Sequence, residues 1–279
     1  MARARRLLNE RRIGHAGTLD PAATGVLPLA VGSATRVVEY LAESSKTYLA
    51  EITFGVSTDS HDADGRVTDL QDASTLTRDL VEDALPPFRC LLRQIPPMHA
   101  AIRIGGKRLY ELARRGEAIE RPPRAIEIHE LHLIAWEAPV ANLVVDCSKG
   151  TYIRALARDL GAALGAGAHL SNLIRLRTGP FVLDDALTLT ELAHLPLPWG
   201  WPVVAFHPDT VLTEWPALIL DHAASIDWGH GKPIAAAAKS STTFDRCRVY
   251  DGDGAWLGIG GRDAEANVWR PLKVIERAA

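Results

Sequence analysis

The hydrophobic pattern changes period several times along the chain and predicts strands and helices in an irregular order. A period of two, typical of half-buried strands, marks residues 47–55, 125–136 and 143–147. Helical character marks residues 1–13, 76–85, 109–116 and 152–164. Because strands and helices intermix without a regular βαβ alternation, the pattern predicts an α+β domain on a mixed or antiparallel sheet.

A second, smaller domain is predicted after a proline-rich stretch at residues 195–216, where all but one of the 7 tryptophans also begin to appear. Short strand-like segments follow at 217–220, 247–250 and 255–259, and the turn sequence Asp251-Gly252-Asp253-Gly254 predicts a hairpin. We therefore expect domains at 1–208 and 209–279, the second a small β domain. The alanine run that begins at Ala235 predicts a flexible loop.

The composition is that of an ordinary globular protein, with 47% hydrophobic and 23% charged residues among 279. No apolar run reaches the roughly eighteen residues that a membrane helix needs. The 3 cysteines are far apart and have no paired metal-ligand spacing, which favours reduced thiols, a cytoplasmic location and no zinc site.

Charge is segregated although the net charge is only −3. Basic residues concentrate in the first twelve positions and between Arg103 and Arg124, whereas acidic residues concentrate between Asp59 and Asp83. A solvated helix face would explain each cluster alone, but together the two basic segments favour a nucleic-acid-binding face that neutralises several phosphates.

Residues 14–25, GHAGTLDPAATG, carry the main chemical signal of the chain. They place one carboxylate, Asp20, between a glycine-rich turn and Pro21, which stiffens the backbone directly after the acid. Asp20 and Pro21 alone would equally begin a helix, with the aspartate as N-cap. Capping does not explain His15, Thr18 or the glycines, so the full string predicts a catalytic loop.

The segment Gly14–Pro21 resembles the catalytic motif of the TruB family of tRNA pseudouridine synthases. Further segments agree in the same order, namely Lys46-Thr47-Tyr48, 54–60 with Asp62, Ile95–Met98, 106–116 and 147–154. The resemblance implies an isomerase that converts uridine to pseudouridine in the T-loop of tRNA, at tRNA position 55. It also implies a PUA-like RNA-binding barrel at the C-terminus, no metal or other cofactor, and a monomer that binds the T-arm of tRNA without an obligatory protein partner.

The resemblance also assigns roles to residues. Asp20 is expected to be the nucleophile, Arg154 the cation that keeps it ionised, and Tyr48 the ring that stacks on uracil and helps to remove the C5 proton. The residues expected to bind RNA are His15, which would fill the gap left by the extruded base, Tyr152 in the pocket wall, and Lys107, Arg108 and Lys149 on phosphates. Outside the resemblance, Tyr48 would be interpreted as an ordinary buried strand residue and His15 as a loop histidine.

The beginning of the chain departs from the family pattern. Members usually have some two to three dozen residues before the motif, including a strand with a Lys-Pro signature, whereas thirteen precede Gly14 here. We expect either a start assigned too far downstream or a version without that strand. Two alternatives to an autonomous synthase therefore stay open: a tRNA-binding and folding module with impaired catalysis, and a guide-RNA-dependent synthase that works with partner proteins.

Overall fold

The computed structural model describes residues 1–98, 103–104, 107–108, 120–195, 200–236 and 244–275, and for 103–108 only the backbone. The α-helices are α1 Ala2–Leu7, α2 Val38–Ala42, α3 Arg78–Ala84, α4 Ile153–Ala163, α5 Leu189–Ala193 and α6 His222–Gly229. The strands are β1 Ile13–His15, β2 Thr24–Gly25, β3 Leu29–Val31, β4 Lys46–Phe54, β5 Val56–Thr58, β6 Val67–Leu70, β7 Leu91–Gln94, β8 Arg103–Ile104, β9 Lys107–Arg108, β10 Arg124–Glu137, β11 Val140–Cys147, β12 Ala168–Thr178, β13 Phe181–Val182, β14 Ala217–Leu220, β15 Ile234–Ala235, β16 Arg246–Asp251, β17 Trp256–Asp263 and β18 Val268–Val274. Short 3₁₀ segments occupy Gly32–Val37, Pro86–Phe88, Leu183–Asp185, Trp201–Val204 and Pro208–Leu212.

A seven-stranded sheet organises the larger part of the described chain. Its strand order is β13-β12-β4-β11-β10-β7, the neighbours are antiparallel, and β2 adds to β12 in parallel. Strand β4 alternates buried and half-buried side chains along its whole length, which is the period of two that the sequence shows. One face of helix α4 is buried, including Leu156 and Leu160, and joins the sheet residues in one apolar core.

The C-terminal residues form a five-stranded mixed sheet with the order β14-β16-β17-β18-β15. Strand β14 runs parallel to β16, and the other pairs are antiparallel. Helix α6 contributes the fully buried Trp228, which packs with Val249, Leu257 and Trp269. The predicted strands and the hairpin at Asp251–Gly254 are confirmed.

The described chain divides into two compact units, each of which is discontinuous in sequence. One comprises 17–28 and 42–186 and holds the seven-stranded sheet. The other comprises 1–16, 29–41 and 187–279 and holds the C-terminal sheet. Within the second unit, Val37 packs against Leu212, Trp256 and Ile259 of the C-terminal part. These units are defined by contacts within the chain, and the predicted domain boundary between residues 208 and 209 stays a prediction.

Two expectations for local structure need correction. The predicted helix at 1–13 ends at Leu7, because Ile13 begins a strand that pairs with β3, a long-range contact that local pattern does not reveal. No helix begins at Asp20, which agrees with the loop predicted there and not with the N-cap alternative. The helix predicted at 76–85 is shorter, since Thr77 caps it by accepting a hydrogen bond from the Leu80 amide.

Two predictions fall wholly or partly outside the described residues. The helix at 109–116 lies in a part of the chain that the structure does not describe. Of the predicted alanine-rich loop, Ala235 ends β15 and Ala236 is buried, and the remainder lies outside the described residues.

Candidate active site

Asp20 lies in the loop that precedes β2, at the first position of a tight turn. The amide of Ala23 donates to the carbonyl oxygen of Asp20 over 3.0 Å, and Pro21 occupies the second position, where its fixed φ favours such a turn. The loop then joins the sheet at Gly25, whose φ is +100°. A Cβ atom there would lie 2.2 Å from the Arg175 carbonyl oxygen, so this approach to β12 requires glycine.

Arg154, near the beginning of helix α4, holds the Asp20 carboxylate through two parallel contacts. Its Nε lies 2.9 Å from Asp20 Oδ2, and its Nη2 donates to Oδ1 over 2.9 Å. The guanidinium is 4% exposed, whereas the Asp20 side chain is 39% exposed. This bidentate geometry fixes the orientation of the carboxylate and leaves it open on one side.

A second carboxylate shares the same guanidinium. Arg154 Nη1 lies 3.2 Å from Asp62 Oδ2, and Asp62 is itself held by a hydrogen bond of 2.5 Å from the Ser60 hydroxyl. Asp62 belongs to the acidic stretch that the charge pattern marks as segregated from the basic segments, and its type and spacing gave no role for it in catalysis. The structure therefore adds Asp62 to the site as the group that orients Arg154.

The environment acts on the ionisation of Asp20 in opposite directions. Burial raises the pKa of the Asp20 carboxyl above its usual value, and the negative charge of Asp62 raises it further. The charge and hydrogen bond of Arg154 oppose this by favouring the carboxylate. A carboxylate that is held ionised yet poorly solvated is suited to act as a nucleophile.

Two tyrosines come close to this carboxylate. Tyr48, in the middle of β4, is 8% exposed, and burial raises the pKa of its phenol. The charge of Arg175, its partner in the register of β12, lowers that pKa, and the charge of Asp20 raises it. Burial likewise raises the pKa of Tyr152, on which Arg154 and Asp20 also act. The structure thus brings Asp20, Tyr48, Tyr152 and Arg154 together.

Gln94 fixes the backbone of Tyr152. Its side-chain amide accepts from the Tyr152 N–H over 2.8 Å and donates to the Tyr152 carbonyl oxygen over 3.0 Å. Gln94 ends β7 and is 5% exposed, so the pair of hydrogen bonds is largely shielded from water. Because helix α4 begins at the next residue, these two hydrogen bonds also fix the backbone position from which the Arg154 side chain extends to Asp20. A single glutamine gives no sequence signal of this role.

Two further cations are buried next to the loop. Arg175 is 1% exposed and Lys46 is 7% exposed. Both lie 3.3 Å from the position that a Cβ on Gly17 would occupy. Burial and the charge of Arg175 lower the pKa of Lys46, whose ammonium donates to the Ser44 carbonyl oxygen over 2.8 Å. In the sequence, the position of Arg175 directly after the apolar residues Leu173 and Ile174 was the one signal that this arginine is buried.

The sequence matches three family profiles that together cover most of the chain. The profile described as "TruB family pseudouridylate synthase (N terminal domain)" matches residues 5–153, which are more than half of the chain. The chain belongs to the TruB family of pseudouridylate synthases. The remaining profiles of the family are its tRNA pseudouridylate synthase B C-terminal domain, at 154–199, and its pseudouridine synthase II C-terminal domain, at 216–274. The predicted family and enzyme class, an isomerase, are confirmed.

Curated relatives from two bacteria support the same assignment. A tRNA pseudouridine synthase B of Pseudomonas syringae is 43% identical over 263 residues, which cover 93% of this chain and 85% of that protein. A tRNA pseudouridine synthase B of Symbiobacterium thermophilum is 55% identical over 196 residues, which cover 69% of this chain and 66% of that protein.

Solved structures share the fold at lower identity. A Cbf5-Nop10-Gar1 complex matches with a TM-score of 0.71 and 23% identity, covering 99% of this chain and 79% of the matched chain. An H/ACA RNP bound to a substrate RNA containing 2'-deoxyuridine matches with a TM-score of 0.68 and 22% identity, covering 98% and 79%. These likenesses concern the fold, and the predicted α+β class with a PUA-like C-terminal β domain is confirmed.

The residues expected to bind RNA lie in several parts of the family fold. His15 ends β1 and is half-buried, and its Nδ1 has no hydrogen-bond partner among the described residues. Lys149, in the turn before helix α4, is exposed and forms an ion pair with Glu43. Lys107 and Arg108 form β9, which pairs with β8, and their side chains lie outside the described part. Their roles in RNA binding stay predictions.

Three findings bear on the expectations from composition. All 3 cysteines are free. Within the part of the chain that the structure describes, no cluster of three or more His, Cys, Asp or Glu residues could hold a metal ion. In that same part, every helix is too short or too polar to span a bilayer.

Proposed function

We propose that the chain isomerises uridine to pseudouridine in the T-loop of tRNA, at tRNA position 55, with Asp20 as the nucleophile. The observation that carries this proposal is the bidentate contact of Asp20 with the buried Arg154 beside Tyr48. The names of the relatives at 43% and 55% identity support tRNA as the substrate. The reaction class follows from the family, and the ion pair of Asp20 with Arg154 supports the roles that we propose for these two residues.

The reaction breaks the N1–C1′ glycosidic bond, rotates the uracil and joins C5 to C1′, after which the C5 proton leaves. Asp20 either forms a transient covalent bond with the sugar or the base, from which the carboxylate then departs, or promotes an elimination. Arg154 keeps the carboxylate ionised between these steps, because its positive charge and its hydrogen bond favour the charged form. The Tyr48 ring stacks on the uracil, and its phenol helps to remove the C5 proton.

The target base must leave its stack before it reaches Asp20. His15 fills the resulting gap in the T-loop, and its Nδ1 takes a hydrogen-bond partner from the RNA. The Tyr152 ring forms one wall of the pocket. Lys107, Arg108 and Lys149 contact phosphates, which position the T-arm without reading its sequence. The shape of the arm and its unstacked loop bases supply the specificity.

Two competing functions differ from this one in measurable ways. A binding and folding module would bind tRNA and leave its uridines unchanged. A guide-RNA-dependent synthase would need partner proteins and a second RNA. The relatives that are 43% and 55% identical to this chain are named tRNA pseudouridine synthase B, whereas the matched chain of the Cbf5 complex is 23% identical, and we therefore favour a synthase that acts on tRNA without a guide RNA. We propose further that it is a monomer and acts in the cytoplasm.

An unmodified tRNA transcript labelled with tritium at C5 of uridine tests the proposal. The purified chain alone should release one equivalent of tritium per tRNA, and a transcript with cytidine at position 55 should release none. A T-arm hairpin should also react, at a lower rate. Binding without tritium release would support the binding module instead, and release only after addition of partner proteins and guide RNA would support the guided synthase.

A further inference from the structure

We propose that Arg175 is a positioning residue that holds both ends of the Asp20 loop and the Tyr48 ring in one arrangement. The inference rests on the proposed function, since it assumes that the Asp20 loop is the catalytic loop. The side-chain hydrogen bonds of Arg175 go to backbone carbonyl oxygens and not to the Asp20 carboxylate. It acts through the backbone that carries this carboxylate and through the tyrosine beside it.

The contacts of Arg175 fall on the two ends of the loop. Its Nη2 donates to the Gly17 carbonyl oxygen over 3.0 Å, three residues before Asp20, and its Nε donates to the Val26 carbonyl oxygen over 2.7 Å, six residues after it. Its own carbonyl oxygen accepts from the Val26 amide over 2.9 Å. One residue of β12 therefore closes the neck of the loop with its side chain and its main chain.

The same guanidinium reaches the second group of the site. Arg175 pairs with Tyr48 in the register of β12 and β4, and its positive charge lowers the pKa of the Tyr48 phenol. A shift of the loop relative to β4 would break at least one of these contacts. Misplacing a reacting group by about 1 Å costs on the order of a hundredfold in rate. We therefore expect the loss of the Arg175 contacts with Gly17, Val26 and Tyr48 to slow the chemical step.

A bulge in β12 separates Arg175 from its near neighbour Arg177. The register between β12 and β4 shifts between these two residues, so that Arg175 pairs with Tyr48 while Arg177 pairs with Thr47. Strand periodicity would place residues two apart on the same face, and the bulge places them on opposite faces. Bulges are frequent beside active sites, where they redirect a side chain.

Arg177 is the matched control that the chain offers. Its side chain forms an ion pair with Asp146 and donates to Thr47 Oγ1 over 3.0 Å and to the Gly179 carbonyl oxygen over 3.1 Å. It thus makes several polar contacts from the same strand, as Arg175 does, and its contacts belong to the opposite face of the sheet. Replacing either arginine removes a planar fork of donors from β12.

The test compares Arg175→Lys with Arg177→Lys in the full-length chain. Lysine keeps the positive charge, and its single ammonium cannot span the Gly17 and Val26 carbonyl oxygens as the guanidinium does. The measurements are the melting temperature, the dissociation constant for tRNA, the single-turnover rate at saturating enzyme, and hydrogen exchange of the peptide 17–28. Arg175→Gln is measured in parallel as a variant without the charge. If Arg175→Gln does not fold, the comparison rests on Arg175→Lys and Arg177→Lys.

We expect Arg175→Lys to lower the single-turnover rate by about a hundredfold and to speed exchange at the Val26 amide, with tRNA affinity within about threefold. Arg177→Lys should lower the melting temperature similarly while changing the rate less than about threefold. Equal rate losses in both variants, or a normal rate in Arg175→Lys, would overturn the inference. An inactive wild-type chain would instead contradict the proposed function, so the two failures are distinguishable.

Discussion

The surroundings of Asp20 and the core of the C-terminal sheet bury large side chains in different ways. Near Asp20, three basic side chains are almost inaccessible to water, namely Lys46, Arg154 and Arg175. In the C-terminal core, the packed cluster consists of aliphatic side chains, Cys247 and two indoles, and the N–H of the Trp228 indole donates to the Leu257 carbonyl oxygen over 3.2 Å. The first region concentrates buried charge, and the second concentrates apolar area.

This difference separates function from stability. Burying a charge costs several kcal/mol before its partners compensate, and replacing such groups by apolar residues is often neutral or stabilising. Burying aromatic area is favourable in itself. The chain therefore keeps charges where chemistry needs fixed groups and apolar side chains where only cohesion is needed. Substitutions in the two regions should accordingly differ in what they damage.

Arg154→Ala should give the largest effect on catalysis. It removes the bidentate partner of Asp20 and leaves two carboxylates without their shared cation. We expect the single-turnover rate to fall by about a thousandfold, equivalent to ~4 kcal/mol, and Arg154→Lys to restore part of it. Near-normal rates in Arg154→Lys would show that a point charge suffices and that the planar fork has no role.

Trp228→Ala should give the largest effect on stability. Deleting a fully buried indole costs about 3–5 kcal/mol in proteins of this kind. We expect the C-terminal sheet of this variant to unfold at a lower denaturant concentration than that of the wild type, as measured by tryptophan fluorescence. The unfolding midpoint of Trp228→Phe should lie between the two. At temperatures below unfolding, the single-turnover rate at saturating enzyme should stay within about threefold. A loss of rate as large as that of Arg154→Ala would break the comparison between the two regions.

The sequence singled out the residues proposed for the chemistry but not the residues that support them. The segments Gly14–Pro21 and Cys147–Arg154 pointed to Asp20 and Arg154 because they resemble motifs of the TruB family. Arg175 was missed because periodicity places it on the same face as Arg177, and a bulge is invisible in that pattern. Gln94 was missed because its role depends on the backbone of a residue 58 positions away.

The fold was predictable to a similar extent. The strands with a sustained period of two, such as β4 and β11, were predicted within a few residues, since half-burial leaves a direct trace in the sequence. The three-residue strand β1 was missed, because its pairing with β3 is too short to produce a period. The discontinuous compact units also have no sequence signal, since they arise from packing between distant segments such as Val37 and Ile259.

Asp62→Asn should shift the pH dependence of the chemical step. The proposed mechanism needs the Asp20 carboxylate, and it therefore predicts that the rate falls as pH drops through the pKa of Asp20. The charge of Asp62 raises this pKa, and removing that charge lowers it, so the acidic limb of the rate profile should move to lower pH. Asp59→Asn is the control, because Asp59 pairs with Arg66 and should leave the limb in place. An upward shift in Asp62→Asn would contradict the assignment.

Lys149→Gln should give the smallest effect. The side chain is about half exposed, and its ion pair with Glu43 is a surface pair that contributes at most about 1 kcal/mol to stability. If Lys149 contacts a phosphate, the variant should bind tRNA a few-fold more weakly and lower the salt slope of binding by roughly one. Glu43→Gln should leave affinity unchanged or increase it. Equal weakening in both variants would mean that the ion pair, and not a phosphate contact, matters.

The central claim is that Asp20 performs the chemistry on a site that its supports hold ready. Asp20→Asn tests it directly, since the amide keeps the shape of the carboxylate and loses its nucleophilic charge. With C5-tritiated tRNA transcript under single-turnover conditions, we predict tritium release below about one per cent of the wild-type rate. The same variant should bind tRNA within about tenfold of the wild-type affinity, because its phosphate contacts are unchanged. Tritium release at a substantial fraction of the wild-type rate would contradict the account.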